Sequence, residues 1–432
     1  MQCLARVRRA KSAARYGLVA EGVAAWAPAM LPKVRDPNIW IVNVTIFLVG
    51  VACGMAISLL ALHLDDRGYT KESIGTLAAW FALGIVGFSF PMTALMKRVS
   101  PKAVLVCSLL LYAATVAIFP FVTRTFALAA FVRVLDGAAS AGMWIGCETI
   151  LLSRADKDEK ASLTALYAAA IAVGYMTGPF ASKAVVALFS LEAAFVVAGV
   201  ISALTGLFVG WRLDGDLPAA HGEAARDSEG KGSMSAGAVL RLIKTSCFGN
   251  FAYGYFQASV VLFLPLYLVA QKGITREQTI IIPGFFALGM LSFVGIAGKV
   301  GDRIGHLLTM RLLACAGTAT VLSFVLFDRY WLMCAAVTLA GATLASISPI
   351  SLALQGVILP HAEYGRGNAL YNGFYAAGML LGPPISGRLF TAYGGPAMLY
   401  HLAGLWVAFA VFAVLYAKDD PAHARARLAP QS

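Results

Sequence analysis

Residues 68–98 and 273–303 agree at a single offset of 205 without a gap, and this duplication limits the possible folds more than any other feature of the chain. Gly68 matches Gly273, Thr70 matches Thr275, Glu72 matches Glu277, Phe81-Ala82-Leu83-Gly84 matches Phe286-Ala287-Leu288-Gly289, and Arg98 matches Arg303. A second block agrees at an offset of 204. There Ala165-Leu166-Tyr167 pairs with Ala369-Leu370-Tyr371, Gly174 with Gly378, and Gly178-Pro179 with Gly382-Pro383. The fold must be built from two related halves.

What surrounds the repeat decides the solvent. The chain is 59% hydrophobic and 13% charged, about half the charged fraction that a soluble domain carries. Its apolar residues fall in runs long enough to cross roughly 30 Å of hydrocarbon. Lipid offers no partner to a free backbone group, so each run is expected to be a helix. The pattern predicts an all-α membrane protein with twelve transmembrane helices in two pseudo-symmetric six-helix bundles. The spans fall near 39–63, 73–95, 102–123, 126–151, 161–187, 190–211, 246–270, 279–299, 307–327, 331–356, 367–390 and 395–417. The division is a basic tail at 1–38, a bundle at 39–212, a Gly/Ser-rich charged linker at 213–245, a second bundle at 246–417 and a polar tail at 418–432.

The net charge of +12 does not point to nucleic acid, because the basic residues sit in alternate loops and not on one module. Placing the first tail and every second loop in the cytoplasm puts about 25 Lys/Arg inside and about 8 outside, so both termini are expected to be cytoplasmic. Glu21 and Pro28 break the apolar part of the first tail, which reads as a lipid-touching basic segment and not as a cleaved signal. The seven cysteines form no CxxC or metal-type spacing and read as small packing residues. No metal site is expected.

Gly298, Val300-Gly301-Asp302-Arg303 and Gly305-His306 resemble the signature turn of the major facilitator superfamily. Ala129, Arg133, Asp136-Gly137 and Ala139-Ser140-Ala141 resemble its fourth-helix motif. Gly174, Gly178 and Pro179 resemble the fifth-helix motif of its proton-coupled efflux antiporters. The span Arg133 to Leu151 is similar to the bacterial drug-antiporter-like branch. Ile41 to Leu64 resembles magnetosome-associated permeases thought to handle iron. The resemblance implies alternating access by rocking of the halves and a cavity lined by helices one, four, seven and ten. It also implies a small-molecule or ion substrate, protons as coupling ion, a monomer, and the bacterial inner membrane or an invagination of it. No cofactor and no enzyme activity are implied, and the chain has no G-x-S-x-G, H-E-x-x-H or nucleotide-binding glycine loop. Uptake, including of iron, and a non-transporting scaffold are the alternatives to export.

The chain departs from the family pattern at Lys97. The first-half turn reads Thr93 to Pro101 without glycines, and Lys97 occupies the acidic position that Asp302 keeps in the second half. Gly298, Asp302, Arg303 and Gly305 are the expected latch, with Asp302 meeting the start of helix five near Ala161 and Ser162.

Charges at membrane depth cost about 2.5–3.5 kcal/mol each at a helix centre, and helix four holds three. Arg133, Asp136 and Glu148 have Val337, Ala340 and Leu352 as second-half counterparts. Arg133 and Asp136 are spaced to pair on one face, and Glu148 lies about 60° round the helix from Arg133. They are read either as a proton-coupling site or as a structural pair with a headgroup-level Glu148. Candidate cavity residues are Asn43, Asn250, Tyr253, Gln257, Ser348 and Tyr375, with inter-helix hydrogen bonding as the alternative role. Gly174, Gly178, Pro179, Gly382 and Pro383 are expected to bend helices five and eleven and to shape an outer seal.

Overall fold

The computed structural model describes residues 36–155, 160–214 and 234–417; both expected tails and most of the linker lie outside them. Twelve long helices follow in order: α1 Pro37–Asp66, α2 Lys71–Arg98, α3 Pro101–Val122, α4 Phe126–Arg154, α5 Lys160–Leu188 and α6 Leu191–Arg212. The second half holds α7 Ala236–Lys272, α8 Ile282–Ile304, α9 His306–Leu326, α10 Tyr330–Ile358, α11 Tyr364–Tyr393 and α12 Gly395–Leu415. Among the described residues, eleven helices are long and apolar enough to span a membrane. The exception, α11, has the length at 30 residues but is diluted by Gly, Asn, Tyr and Pro. It packs against α2 and α7.

The repeated residues act as punctuation. Gly68 and Gly273 follow α1 and α7 with φ of 81° and 65°, the left-handed region that lets a chain leave a helix. Thr70 and Thr275 are both N-caps, accepting from Ser73 N and Gln278 N. After Thr275 the second half makes only one helical turn, Arg276–Thr279, before α8 starts, whereas α2 runs on unbroken. The expected glycine-rich turn at 298–306 is itself mostly helix. α8 continues through Asp302 and Arg303 to Ile304, and the break is confined to Gly305, at φ 99°. α7 likewise begins at Ala236, ahead of the expected span.

Glycines set which helices touch. A Cβ on Gly174 or Gly178 of α5 would overlap the Phe47 and Val51 carbonyls of α1, and one on Gly378 or Gly382 of α11 would overlap those of Phe251 and Tyr255 on α7. Gly84 and Gly137 bring α2 to α4, and their repeat partners Gly289 and Gly341 bring α8 to α10. The duplicated glycines therefore build the same two helix pairs in each half, by close backbone approach.

The bundles meet at the end where α1 finishes and α2 begins. Gly75 packs on the backbone of Pro383 and Pro384, Gly387 on that of Lys71, and Gly284 on Met176 and Phe180. Polar contacts reinforce that end: Glu72 N donates to Thr391 Oγ1 at 3.3 Å, and Arg276 reaches both Asp66 and Asp65. At the other end the same helices present exposed faces, including Phe90, Thr93 and Lys97 on α2 and Arg366, Ala369 and Gly373 on α11. The molecule is closed at one end and open at the other.

At the open end the first half is tied by charge. Asp36 caps α1 through Asn38 N and pairs with Arg154 at 3.1 Å, and Asn38 Nδ2 also donates to Asp214. Partial burial alone would raise the Asp36 pKa, but hydrogen bonds from Asn38 and Arg154 outweigh it and hold the carboxyl below its ordinary 3.8. Its contribution is present above that value and is lost as pH falls through the lower folded value. Asp36→Asn should thus be less stable than the parent at neutral pH and converge with it in acid, as read by thermal melting.

Candidate functional site

α4 is flanked by α1, α2 and α3. Its small residues admit them: Gly137 faces Phe81 of α2, while Gly142 and Gly146 face Ser108 and Leu105 of α3. Arg133 and Asp136 lie one turn apart and form a salt bridge. Asp136 is 5% exposed. The guanidinium carbon of Arg133 stands 4.3 Å above the Phe81 ring and 5.9 Å from that of Phe119. Two polar atoms of the pair, Asp136 Oδ1 and Arg133 Nε, are buried without a hydrogen-bond partner.

Around the pair are groups that sequence reasoning missed. The Cys53 thiol of α1 lies beside the hydroxyls of Tyr112 on α3 and Tyr175 on α5, and all three are within electrostatic reach of Asp136. Tyr175 in turn neighbours Tyr375 of α11, in the other half. The sequence reads Cys53 as a packing residue, and nothing local marks it otherwise. The available signal was its position near the middle of α1.

Glu148 is not part of this cluster. It stands twelve residues further along α4, about 18 Å at helical rise, exposed toward the open end and near Cys147 and Tyr167. At 100° per residue it and Trp144 lie within 20° of Gly137 on α4, on the side turned to α2. Among the described residues Glu148 has no ion-pair or hydrogen-bond partner.

In the second half several expected cavity residues are engaged with one another. Asn250 Nδ2 donates to the Tyr371 carbonyl at 3.0 Å, Ser348 Oγ donates to Asn250 Oδ1 at 2.8 Å, and the Tyr371 hydroxyl meets Ser348 and Ser351. Tyr375 OH donates to Gln257 Oε1 at 2.9 Å, and the Tyr253 ring lies 5.9 Å from that of Tyr375. Asn43 stands apart: Nδ2 donates to its own helix at Ile39 O and Oδ1 is unpartnered. His401 is hydrogen-bonded to Tyr255 OH at 2.7 Å.

The latch expected around Gly298, Asp302, Arg303 and Gly305 is not engaged in this conformation. Asp302 is 75% exposed, and its ion-pair partner among the described residues is His306, at 3.4 Å, one turn along its own chain. At the closed end a lock appears that the sequence did not suggest. Arg276 is the repeat counterpart of Lys71, and both grip Asp65, while the counterparts of Asp65 and Asp66 are Ala270 and Gln271. Only one of two possible symmetric pairings exists. These groups are partly exposed, so Arg276→Ala should release about 0.5–1 kcal/mol, a two- to fivefold shift toward opening at this end. Arg276→Glu adds repulsion and should give about tenfold, as read by spin-label distances across it.

Comparison with known proteins fits this architecture. The family model of the Major Facilitator Superfamily matches residues 42–326 and 246–431, so the chain belongs to that superfamily. The uncharacterized MFS-type transporter YfkF of Bacillus subtilis is 21% identical over 384 residues, covering 86% of this chain and 94% of that protein. The quinolone resistance protein NorA of Staphylococcus aureus is 25% identical over 144 residues, 33% of this chain and 37% of its own. The crystal structure of nucleoside transporter NupG superposes with a TM-score of 0.74 at 15% identity, covering 88% of this chain and 99% of that one. The protein is a multi-pass membrane transporter of this superfamily.

Proposed function

We propose that the protein exports a small, amphipathic solute across the bacterial cytoplasmic membrane in exchange for protons, by alternating access. The observation that carries this reading is the Arg133–Asp136 pair, buried inside the first bundle, with an unpartnered carboxylate oxygen and no counterpart in the second half. A carboxylate in that setting changes its proton affinity whenever rocking of the halves changes its access to water. Glu148, exposed toward the open end, would exchange protons with that side, and Tyr175 and Tyr375 would carry the response to the Asn250, Tyr253 and Gln257 face. The Lys/Arg bias of the loops supports a cytoplasmic location for the open end and both termini. Export is favoured over uptake by the Gly174, Gly178 and Pro179 pattern and by the partial similarity to NorA. The iron reading would need a ligand cluster, and among the described residues no three His, Cys, Asp or Glu side chains are grouped for one.

Proteoliposomes holding a trapped pH-sensitive dye provide the test, with a quinolone and a nucleoside as probes. Solute movement that dissipates an imposed proton gradient, and is lost in Asp136→Asn, is the expected result. Uncoupled flux, or flux in Asp136→Asn with unchanged pH dependence, would overturn the coupling role. No flux of any compound whose cellular level changes on deletion would favour a non-transporting scaffold.

A further inference from the structure

The open end holds two unpartnered faces with matching register. α2 and α11 are antiparallel and touch at the closed end, where Gly75 lies against Pro383, Lys71 against Gly387 and Glu72 against Thr391. Carrying these pairings along both helices toward the open end places Phe90 opposite the stretch between Asn368 and Gly373. At 100° per residue, Phe90 lies at the same angle on α2 as Glu72, and Gly373 at the same angle on α11 as Thr391. Phe90 is 85% exposed, so little of the protein covers its ring in this conformation. On that side α11 carries a groove of about 410 Å³, lined by Arg366, Ala369, Leu370, Gly373, Phe374 and Ala377 together with Ala236 of α7. No Cβ stands at Gly373, and nothing lies within 4 Å of where one would be.

The same register carries Lys97 to the stretch between His361 and Arg366, which holds Glu363. Lys97 is exposed and has no ion-pair partner among the described residues. Glu363 is buried at the start of α11, accepting from Met234 N at 2.9 Å and pairing with Arg366 at 3.1 Å. A lysine at the end of α2 is repelled by the positive start of a bare helix, but an acidic side chain at that start reverses the preference.

We propose that when the open end closes, α2 swings onto α11 so that the Phe90 ring seats in the groove over Ala369 and Gly373 and the Lys97 ammonium reaches the Glu363 carboxylate. The first half thus keeps a latch, with its charges inverted relative to Asp302 in the second. The proposal rests on the alternating-access reading but on neither the coupling ion nor the direction of transport.

Phe90→Cys with Gly373→Cys, in a background lacking the native cysteines and reconstituted in nanodiscs, tests it without a substrate. Disulfide formation requires Cα atoms within about 7 Å and Cβ atoms about 4 Å apart, and in the open state nothing lies within 4 Å of where a Gly373 Cβ would stand. The yield should be low in the parent and rise several-fold when Arg276→Glu unlocks the closed end. Phe90→Cys with Leu381→Cys, off the register, should stay unlinked in both. Lys97→Glu should lower the yield about tenfold, and adding Glu363→Lys should restore it. Where Glu363→Lys prevents folding, Lys97→Gln gives an intermediate yield on this account. Equal yields for the two cysteine pairs, or a yield indifferent to the charge at 97, would overturn the proposal. A normal crosslink in a protein that moves no protons would sink only the coupling reading.

Discussion

Asp136→Asn is expected to destabilise the folded protein by about 3–5 kcal/mol, because it leaves the Arg133 guanidinium buried without its counter-charge. The Phe81 ring beneath that guanidinium returns about 2 kcal/mol in a desolvated setting, less than that loss, so the aromatic contact does not substitute for the carboxylate. Removing both charges, as in Arg133→Gln with Asp136→Asn, should recover most of the loss, since two neutral groups carry no desolvation cost of that size. Denaturant titration in mixed micelles measures all three proteins. The double variant also separates the two roles considered for the pair. A purely structural pair would leave a refolded double variant transporting normally with its pH dependence intact. A coupling site would leave it stable and unable to use a proton gradient. Asp136→Asn as stable as the parent would show that the ion pair carries little.

The second large effect concerns backbone contact between helices. A Cβ at Gly137 would meet the Phe81 carbonyl oxygen and, at 2.9 Å, the Ile85 nitrogen; one at Gly341 would meet the Phe286 carbonyl oxygen and, at 3.2 Å, the Met290 nitrogen. Each obstacle is backbone of a packed helix, which no rotamer change relieves. Gly137→Val and Gly341→Val should each cost at least about 3 kcal/mol, the upper end of ordinary overpacking, and lower the yield of folded protein. Gly87→Ala and Gly295→Ala, where nothing lies within 4 Å of the added atom, should be neutral or stabilising by up to about 1 kcal/mol, since alanine restricts the unfolded chain. Equal losses at crowded and open glycines would remove the argument that the duplicated glycines set the helix pairs.

Those glycines explain why the fold was legible. Gly84 with Gly289, and Gly174-x-x-x-Gly178-Pro179 with Gly378-x-x-x-Gly382-Pro383, stand in sequence at the positions where helices touch in space. Apolar run length located the spans, because lipid forces helix formation whatever the tertiary contacts. Boundaries were less legible at 298–306, where glycines and charges suggested a turn but the helix continues to Ile304 and only Gly305 needs a special backbone angle.

The site was legible only in part. Arg133 and Asp136 stood out because charge at membrane depth is costly, and three-residue spacing on one helix fixes their contact. Cys53, Tyr112 and Tyr175 come from three other helices, and no local pattern says which face of each will meet α4. Glu148 shares a helix with the pair but lies too far along it to share its surroundings. The Arg276 lock was half visible: the repeat aligns Arg276 with Lys71, but only the packed halves bring both to Asp65. The expected contact of Asp302 with α5 is not made here, where Asp302 is exposed and pairs with His306, and a sequence does not specify which conformation is occupied.

The account rests on Asp136 linking proton binding to the choice between the two conformations. Spin labels placed across the closed end, with distances measured as pH is varied in nanodiscs without substrate, address that link most directly. The parent should shift between a short and a long distance with pH, and Arg133→Gln with Asp136→Asn should hold one distribution throughout. A pH-dependent shift of the same size in both proteins would contradict the account.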